Sequence, residues 1–274
     1  MPMPYSTHLA IQIFVERLAS RTKLGKEEID TILHLPNETV TAGGDRDLVR
    51  PGEQVDHACL VVKGLVGRFG QMRDGRRQIT AFYVAGHMAN LQSVVFPSTA
   101  QSLQALTPVT IIKMPHYALK SAVTLFPALA DAFWRECAVD ACVLAQWVVN
   151  LGRKSAVGRL AHLLAELGLR LEEAGLGTKT KYRLQPTQLH LADALGLTNV
   201  HVNRVFRELR DANVVATSTD RMLDILDWDA LVAIGEFDRD YLHIDTKPWK
   251  FPRIVQDDGA LGSSEMTRFQ SGAL

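Results

Sequence analysis

Cysteine is scarce in this chain: Cys59, Cys137 and Cys142 are the three in 274 residues. The number is odd and no CxxC pair occurs, which argues against a disulfide framework or a zinc site and for a reducing, cytoplasmic setting. No run approaches the roughly 18 apolar residues that a spanning helix needs, so no membrane partner is expected. The N-terminal stretch lacks a basic region followed by an apolar core. Charge of one sign is missing too, with 30 Lys plus Arg against 30 Asp plus Glu, so any nucleic-acid-binding patch must be local. His57, His87 and His116 are scattered, and no close His-x-His pair exists for a cupin-type metal. No Ser/His/Asp set, Gly-rich phosphate loop or metal cluster stands out, so an enzyme is not expected and no cofactor is assigned.

What is present centres on TQLHLADALGLTNVHVNRVFRELRDANVV, residues 187–215. The stretch predicts a helix over residues 187–195, a turn at Gly196, and a second helix capped by Thr198. In the second helix Val202, Val205, Phe206 and Leu209 fall at i, i+3, i+4 and i+7, one apolar stripe. The opposite face carries Val200, Asn203, Arg204 and Arg207, and residues 199–210 hold three Arg against one Glu. Guanidinium and amide donors beside an apolar side chain suit guanine, adenine and the thymine methyl. An ordinary solvated helix would show the same polar face. The next residues, ATSTDRMLDIL, form two β-prone runs about Thr219-Asp220, a hairpin placed as a wing.

Upstream, residues 6–35 suggest two short helices. From about Thr39 to Met114 the apolar period is two, with strands at residues 55–62, 64–69, 78–84 and 109–114 punctuated by Gly and Pro. Residues 126–151 read as one long helix with Pro127 in its first turn. There Leu129, Phe133, Cys137, Ala141, Leu144, Val148 and Leu151 recur at spacings of 4, 4, 4, 3, 4 and 3, close to a heptad seam. Trp134, Val139, Val143 and Trp147 give a second apolar side for the chain's own sheet to cover. Residues 150–153 read as a hinge, with Gly152 able to end the helix. Ser155 starts another helix, with Val157, Leu160, Leu164, Leu167 and Leu171 as its stripe.

GLTNVHVNRVFRELR with its wing, together with PGEQVDHACLVVKGLVGRFGQMRDGRRQITAFYVAGHMANL, resembles the Crp/Fnr family of bacterial transcription regulators over most of residues 30–245. The resemblance implies an α+β fold: an N-terminal antiparallel β-roll of the jelly-roll type with flanking helices, a long dimerisation helix, and a C-terminal winged helix-turn-helix. The expected division is residues 1–125 as a cyclic-nucleotide-binding-like roll, 126–152 as dimer helix and hinge, and 153–245 as the DNA-binding domain. Residues 246–274 form an extension in which Trp249 and Phe251 could dock and the end looks disordered.

The same resemblance implies function: a homodimer on a palindromic operator in double-stranded DNA, with RNA polymerase as a further partner. Arg204 is expected to read guanine, with Asn203 and Val200 beside it. Thr198 and Asn199 would reach phosphate or a base edge, Thr187 and Arg207 would hold phosphate, and His201 would touch backbone. The family's best-known members carry a glutamate where Val200 stands, so the DNA sequence read here should differ. Family members that bind cyclic AMP use a glycine-glutamate and an arginine after the last turn glycine. Here Asn90-Leu91 stands in that place and no arginine occurs between Arg77 and Arg135. The polar residues that reach a purine from the long helix are replaced by Leu144-Ala145. Cyclic AMP is therefore not expected as effector; Gly86, Asn90, Leu91 and Leu144 would line the effector pocket. Residues 1–58 contain no cysteine, against the family's iron–sulfur branch. A sensor module acting on a protein partner is the alternative, disfavoured by the winged helix.

Overall fold

The computed structural model describes residues 7–244. It opens with α1 (Thr7–Arg21) and α2 (Lys26–Leu33). Seven strands follow: β1 (Glu38–Ala42), β2 (Arg46–Val49), β3 (His57–Lys63), β4 (Val66–Gln71), β5 (Arg77–Tyr83), β6 (Ser102–Ala105) and β7 (Val109–Pro115). They pair antiparallel in two sheets, ordered β1-β7-β3 and β2-β6-β4-β5. The chain crosses from one sheet to the other between β1 and β2, β2 and β3, β3 and β4, and β6 and β7, which makes a roll. The period of two explains why β3 reads as a continuous apolar run. Cys59 and Val61 face the inside of the roll with Val66, Tyr83, Leu103 and Ile111. Leu60 and Val62 face outward, yet are covered by Phe14, Leu18, Leu119 and Phe133.

Two helices lead out of the roll, α3 (His116–Leu125) and α4 (Pro127–Arg153). Pro127 occupies the first turn of α4, where no N–H is missed. The expected hinge is shifted. α4 runs through Gly152, and the Lys154 N–H still bonds the Asn150 carbonyl. The break comes at extended Lys154, after which the Ser155 hydroxyl accepts from the Gly158 N–H and caps α5 (Ala156–Glu173).

The remaining elements are β8 (Gly177–Thr178), β9 (Lys181–Arg183), α6 (Gln188–Leu195), α7 (Asn199–Asp211), β10 (Val215–Thr217), β11 (Met222–Ile225) and α8 (Trp228–Gly235). The small sheet is ordered β10-β11-β9-β8. This C-terminal part packs directly on the roll. One core joins Ile79, Phe82, Val84 and Leu106 of the roll to Trp147 of α4 and to Leu163, Leu167 and Leu195. Phe82 and Trp147 meet edge to face at 5.7 Å. Among the described residues no helix is long and apolar enough to cross a membrane. The expectations for residues 246–274 lie outside the described residues.

Candidate nucleic-acid interface

Local chemistry builds the helix-turn-helix. The Thr187 hydroxyl accepts from the His190 N–H at 3.2 Å, and the Thr187 N–H donates to His190 Nδ1 at 3.2 Å, a reciprocal cap on α6. The chain then turns at Gly196, whose φ of 63° and ψ of 40° lie in the left-handed region that glycine enters without strain. Thr198 caps α7 by accepting from the His201 N–H at 3.3 Å. Val202, Val205, Phe206 and Leu209 are buried, the inward stripe of α7.

The outward face carries Asn199, Val200, Asn203, Arg204 and Arg207, all exposed, with Val200 80% exposed. A valine side chain held in water beside guanidinium groups has no packing partner within the chain. Arg204 rests on the His201 ring nitrogen and lies 3.7 Å from Glu208, an exposed pair that is weak and readily exchanged. His201 is half-buried, at the edge of the face. Gln188, exposed at the start of α6, donates to the Asn203 side chain. Sequence reading missed Gln188; its place as first residue of a capped helix facing the second was the available signal. Arg221, at the wing turn with φ of 64°, donates to the carbonyls of Gln185 and Pro186 and ties the wing to the entry of α6.

A buried polar network fixes this unit to the rest. Glu166, fully buried, accepts from Trp147 Nε1 at 2.8 Å, from Tyr241 Oη at 2.8 Å and from Arg170 at 2.9 Å. Arg170 also donates to the Phe82 carbonyl and to His87 Nδ1 in the roll. At the outer edge of the contact Arg77 bonds Asp193 at 2.9 Å and Gln78 donates to the Ala194 carbonyl. His162 lies at the network's other end. Its Nδ1 accepts from Lys154 Nζ at 3.0 Å, since an ammonium can only donate, and its Nε2–H donates to Tyr241 Oη.

Burial, with Lys154 beside it and despite Glu166, pushes the His162 imidazole down to about 4. His87 is also held well below its ordinary value, by burial and then by Arg17, Arg170 and Arg21. Unfolded histidine binds its proton near pH 6.5, so between that pH and about 4 the unfolded chain holds the extra proton. Stability therefore falls as pH drops through this window, by about 3 kcal/mol from His162 alone. Urea unfolding at pH 7.5 and pH 5 measures the first part of it, about 2 kcal/mol. His162→Gln should flatten much of the slope; an unchanged slope would remove His162 from the account.

The structure redistributes the residues expected on α4. Leu129 and Phe133 are buried in the chain's own core rather than exposed on the helix. Cys137, Leu144 and Leu151 are half-buried at the flank; Ala141 and Val148 are exposed. Trp134, expected under the roll, instead points out, 71% exposed. The outward stripe is Trp134, Ala138, Ala141, Ala145, Val148 and Gly152, spaced 4, 3, 4, 3 and 4.

A cavity of about 540 Å³ lies between the roll and the middle of α4. Asn90 and Leu144 line it, but Gly86 and Leu91 do not. Gly86, with φ of 81°, is pressed under α1, where an added Cβ would come within 2.3 Å of Ile13. Leu91 is buried in the core beneath α1 and α3. The Asn90 side chain is used on the chain itself: Oδ1 accepts from the Cys59 N–H, and Nδ2 donates to the His57 carbonyl and Ser93 Oγ.

A roll joined through a long helix to a winged helix-turn-helix with an exposed polar recognition face is the architecture of a DNA-binding regulator. Comparison with known proteins agrees. The family "Cyclic nucleotide-binding domain" matches residues 43–124, and "Crp-like helix-turn-helix domain" matches residues 158–234. The chain belongs to the Crp/Fnr family of transcription regulators. The transcriptional activator protein Anr of Pseudomonas protegens is 26% identical over 188 residues, 69% of this chain and 76% of that protein. The nitrogen fixation regulation protein FixK of Rhizobium meliloti is 27% identical over 196 residues, 72% of this chain and 86% of that one. Among solved structures, FixK2 from Bradyrhizobium japonicum superposes with a TM-score of 0.65 at 23% identity, covering 73% of this chain and 98% of FixK2. A CooA mutant from Carboxydothermus hydrogenoformans gives 0.60 at 18% identity, covering 81% and 95%. These two likenesses concern the fold.

Proposed function

We propose that the protein is a cytoplasmic, homodimeric, sequence-specific regulator that reads a palindromic operator with two copies of α7 and takes an effector other than cyclic AMP, with RNA polymerase as the partner it meets on DNA. The observation that carries this reading is the two-faced α7, buried on one side and presenting Val200, Asn203, Arg204 and Arg207 on the other. Arg204 would read guanine, and Asn203 and Val200 the neighbouring bases. Arg207 and the capped N-termini of α6 and α7, with Thr187, Thr198 and Asn199, would hold phosphate. A two-fold dimer sets half-sites about one DNA turn apart, roughly 34 Å.

The outward stripe of α4 supports dimerisation. Trp134, Ala138, Ala141, Ala145, Val148 and Gly152 lie opposite the buried Val139, Val143 and Trp147. Their heptad spacing is that of two helices packed side by side, and small side chains let the backbones approach.

Anisotropy on labelled genomic fragments, repeated over a range of salt, tests the reading; binding should weaken steeply with salt. Arg204→Ala should cost about 1–3 kcal/mol and relax preference at one base pair per half-site. A variant that still separates operator from scrambled DNA as the wild type does would take base reading away from Arg204.

A further inference from the structure

The 540 Å³ cavity has a chemistry of its own. Its size is that of a small-molecule site. Among the described residues lining it, Arg68 is the one cation and Asp140 the one anion. They come from β4 and α4 and bond each other at 2.6 Å. Arg68 is buried, and the second carboxylate oxygen of Asp140 accepts from Tyr83 Oη at 3.0 Å. The cavity's charges therefore cancel inside its own wall. An anion entering beside Arg68 would meet the half-buried Asp140 carboxylate already paired with it, and would have to weaken that pair to gain the guanidinium's full charge. The rest of the wall divides between apolar side chains, as at Phe96, Leu103 and Leu144, and uncharged polar ones, as at Gln92, Ser98 and Gln101, with the apolar surface the larger.

We propose that this cavity binds an uncharged, largely apolar small molecule with one or a few hydrogen-bonding groups, and discriminates against phosphates and carboxylates through the closed Arg68–Asp140 pair. This rests on reading the roll as the input half of the regulator, but the binding step is separate from DNA. Ala141 and Leu144 carry the consequence: both line the cavity, and Ala141 also stands on the outward stripe of α4. An occupant would touch the helix that pairs the two copies.

The test is titration calorimetry on the full chain with 1-octanol, with octanoate, which has the same chain length and a charge, and with cyclic AMP. Saturable heat with 1-octanol is expected, with octanoate and cyclic AMP at least tenfold weaker. Leu144→Trp and, from the opposite wall, Gln101→Trp should each abolish the 1-octanol heat. Asp140→Asn should unmask Arg68 and bring octanoate within a few-fold of 1-octanol. Comparable binding of octanoate or cyclic AMP to the wild type, no saturable heat with 1-octanol, or 1-octanol heat that survives both cavity-filled variants overturns the proposal. So does an Asp140→Asn protein that folds, binds 1-octanol and still rejects octanoate. Anisotropy on DNA is measured in parallel. Protein that binds 1-octanol but no DNA would keep the cavity assignment and remove the regulator reading, and the converse would do the opposite.

Discussion

Glu166→Ala should lower the unfolding free energy by about 3–5 kcal/mol, the cost of breaking a buried ion pair from one side. The carboxylate is fully buried and is the shared acceptor of Arg170, Trp147 and Tyr241. Its removal leaves a guanidinium, an indole N–H and a phenol competing for partners out of water, where each unmet donor costs about 1–3 kcal/mol. Arg170 keeps the Phe82 carbonyl and His87, which limits the loss. Against a total of about 5–15 kcal/mol for a typical protein, the change is large. Glu166→Gln should lose less, because an amide oxygen can still accept from Trp147 and Tyr241. Its NH2 would be a poor neighbour for Arg170. Denaturant midpoints measure both variants, and Trp147 fluorescence reports the site. A loss below about 1 kcal/mol for Glu166→Ala would mean that the apolar core around Phe82 and Trp147, rather than this network, holds the two halves together.

How much of this could be read in advance depends on how far apart the interacting residues lie. The face of α7 is legible because burial there is decided within a few turns: Val202, Val205, Phe206 and Leu209 sit at helical spacing, and their opposites are exposed. Gly196 and the Thr198 cap are legible for the same local reason. The roll is legible as a change to period two, but β1, β2 and β6 are short and patterned weakly, and their pairing is set by partners distant in sequence. The contacts across the molecule left no local mark. Arg77 meets Asp193 across 116 positions, and Arg68 meets Asp140 across 72. On sequence alone the effector loop lacked a cation; the structure supplies Arg68 from β4, already neutralised. The outward stripe proposed as the seam on α4 lies roughly 70° around the helix from the heptad read in the sequence, at about 100° per residue. The larger apolar residues, Leu129 and Phe133, attracted the assignment, yet size is what a monomer's own core uses. A stripe of three alanines, with one tryptophan, one valine and one glycine, is inconspicuous by hydrophobicity.

That displacement leads to a sharper result for the dimer. Ala145→Glu should yield a monomer with near wild-type melting behaviour and about 100-fold or more weaker binding to a full palindrome. Position 145 is exposed on α4, so the glutamate meets nothing within its own chain. In a parallel two-helix seam it meets its symmetry mate, and two like charges are brought together where water is excluded. Losing the second copy removes the effective concentration that couples two half-sites, typically worth 10²–10⁴ in avidity. Binding to an isolated half-site should barely change, since α7 is untouched. Phe133→Ala separates the two versions of the seam. It should cost about 3–5 kcal/mol of stability, as core truncations do, while any folded protein stays dimeric. Sedimentation velocity with a denaturant series reads both variants. A dimeric Ala145→Glu protein, or a stable but monomeric Phe133→Ala protein, would return the seam to the Leu129–Phe133 side and remove the outward stripe as the surface that places two α7 helices on one duplex.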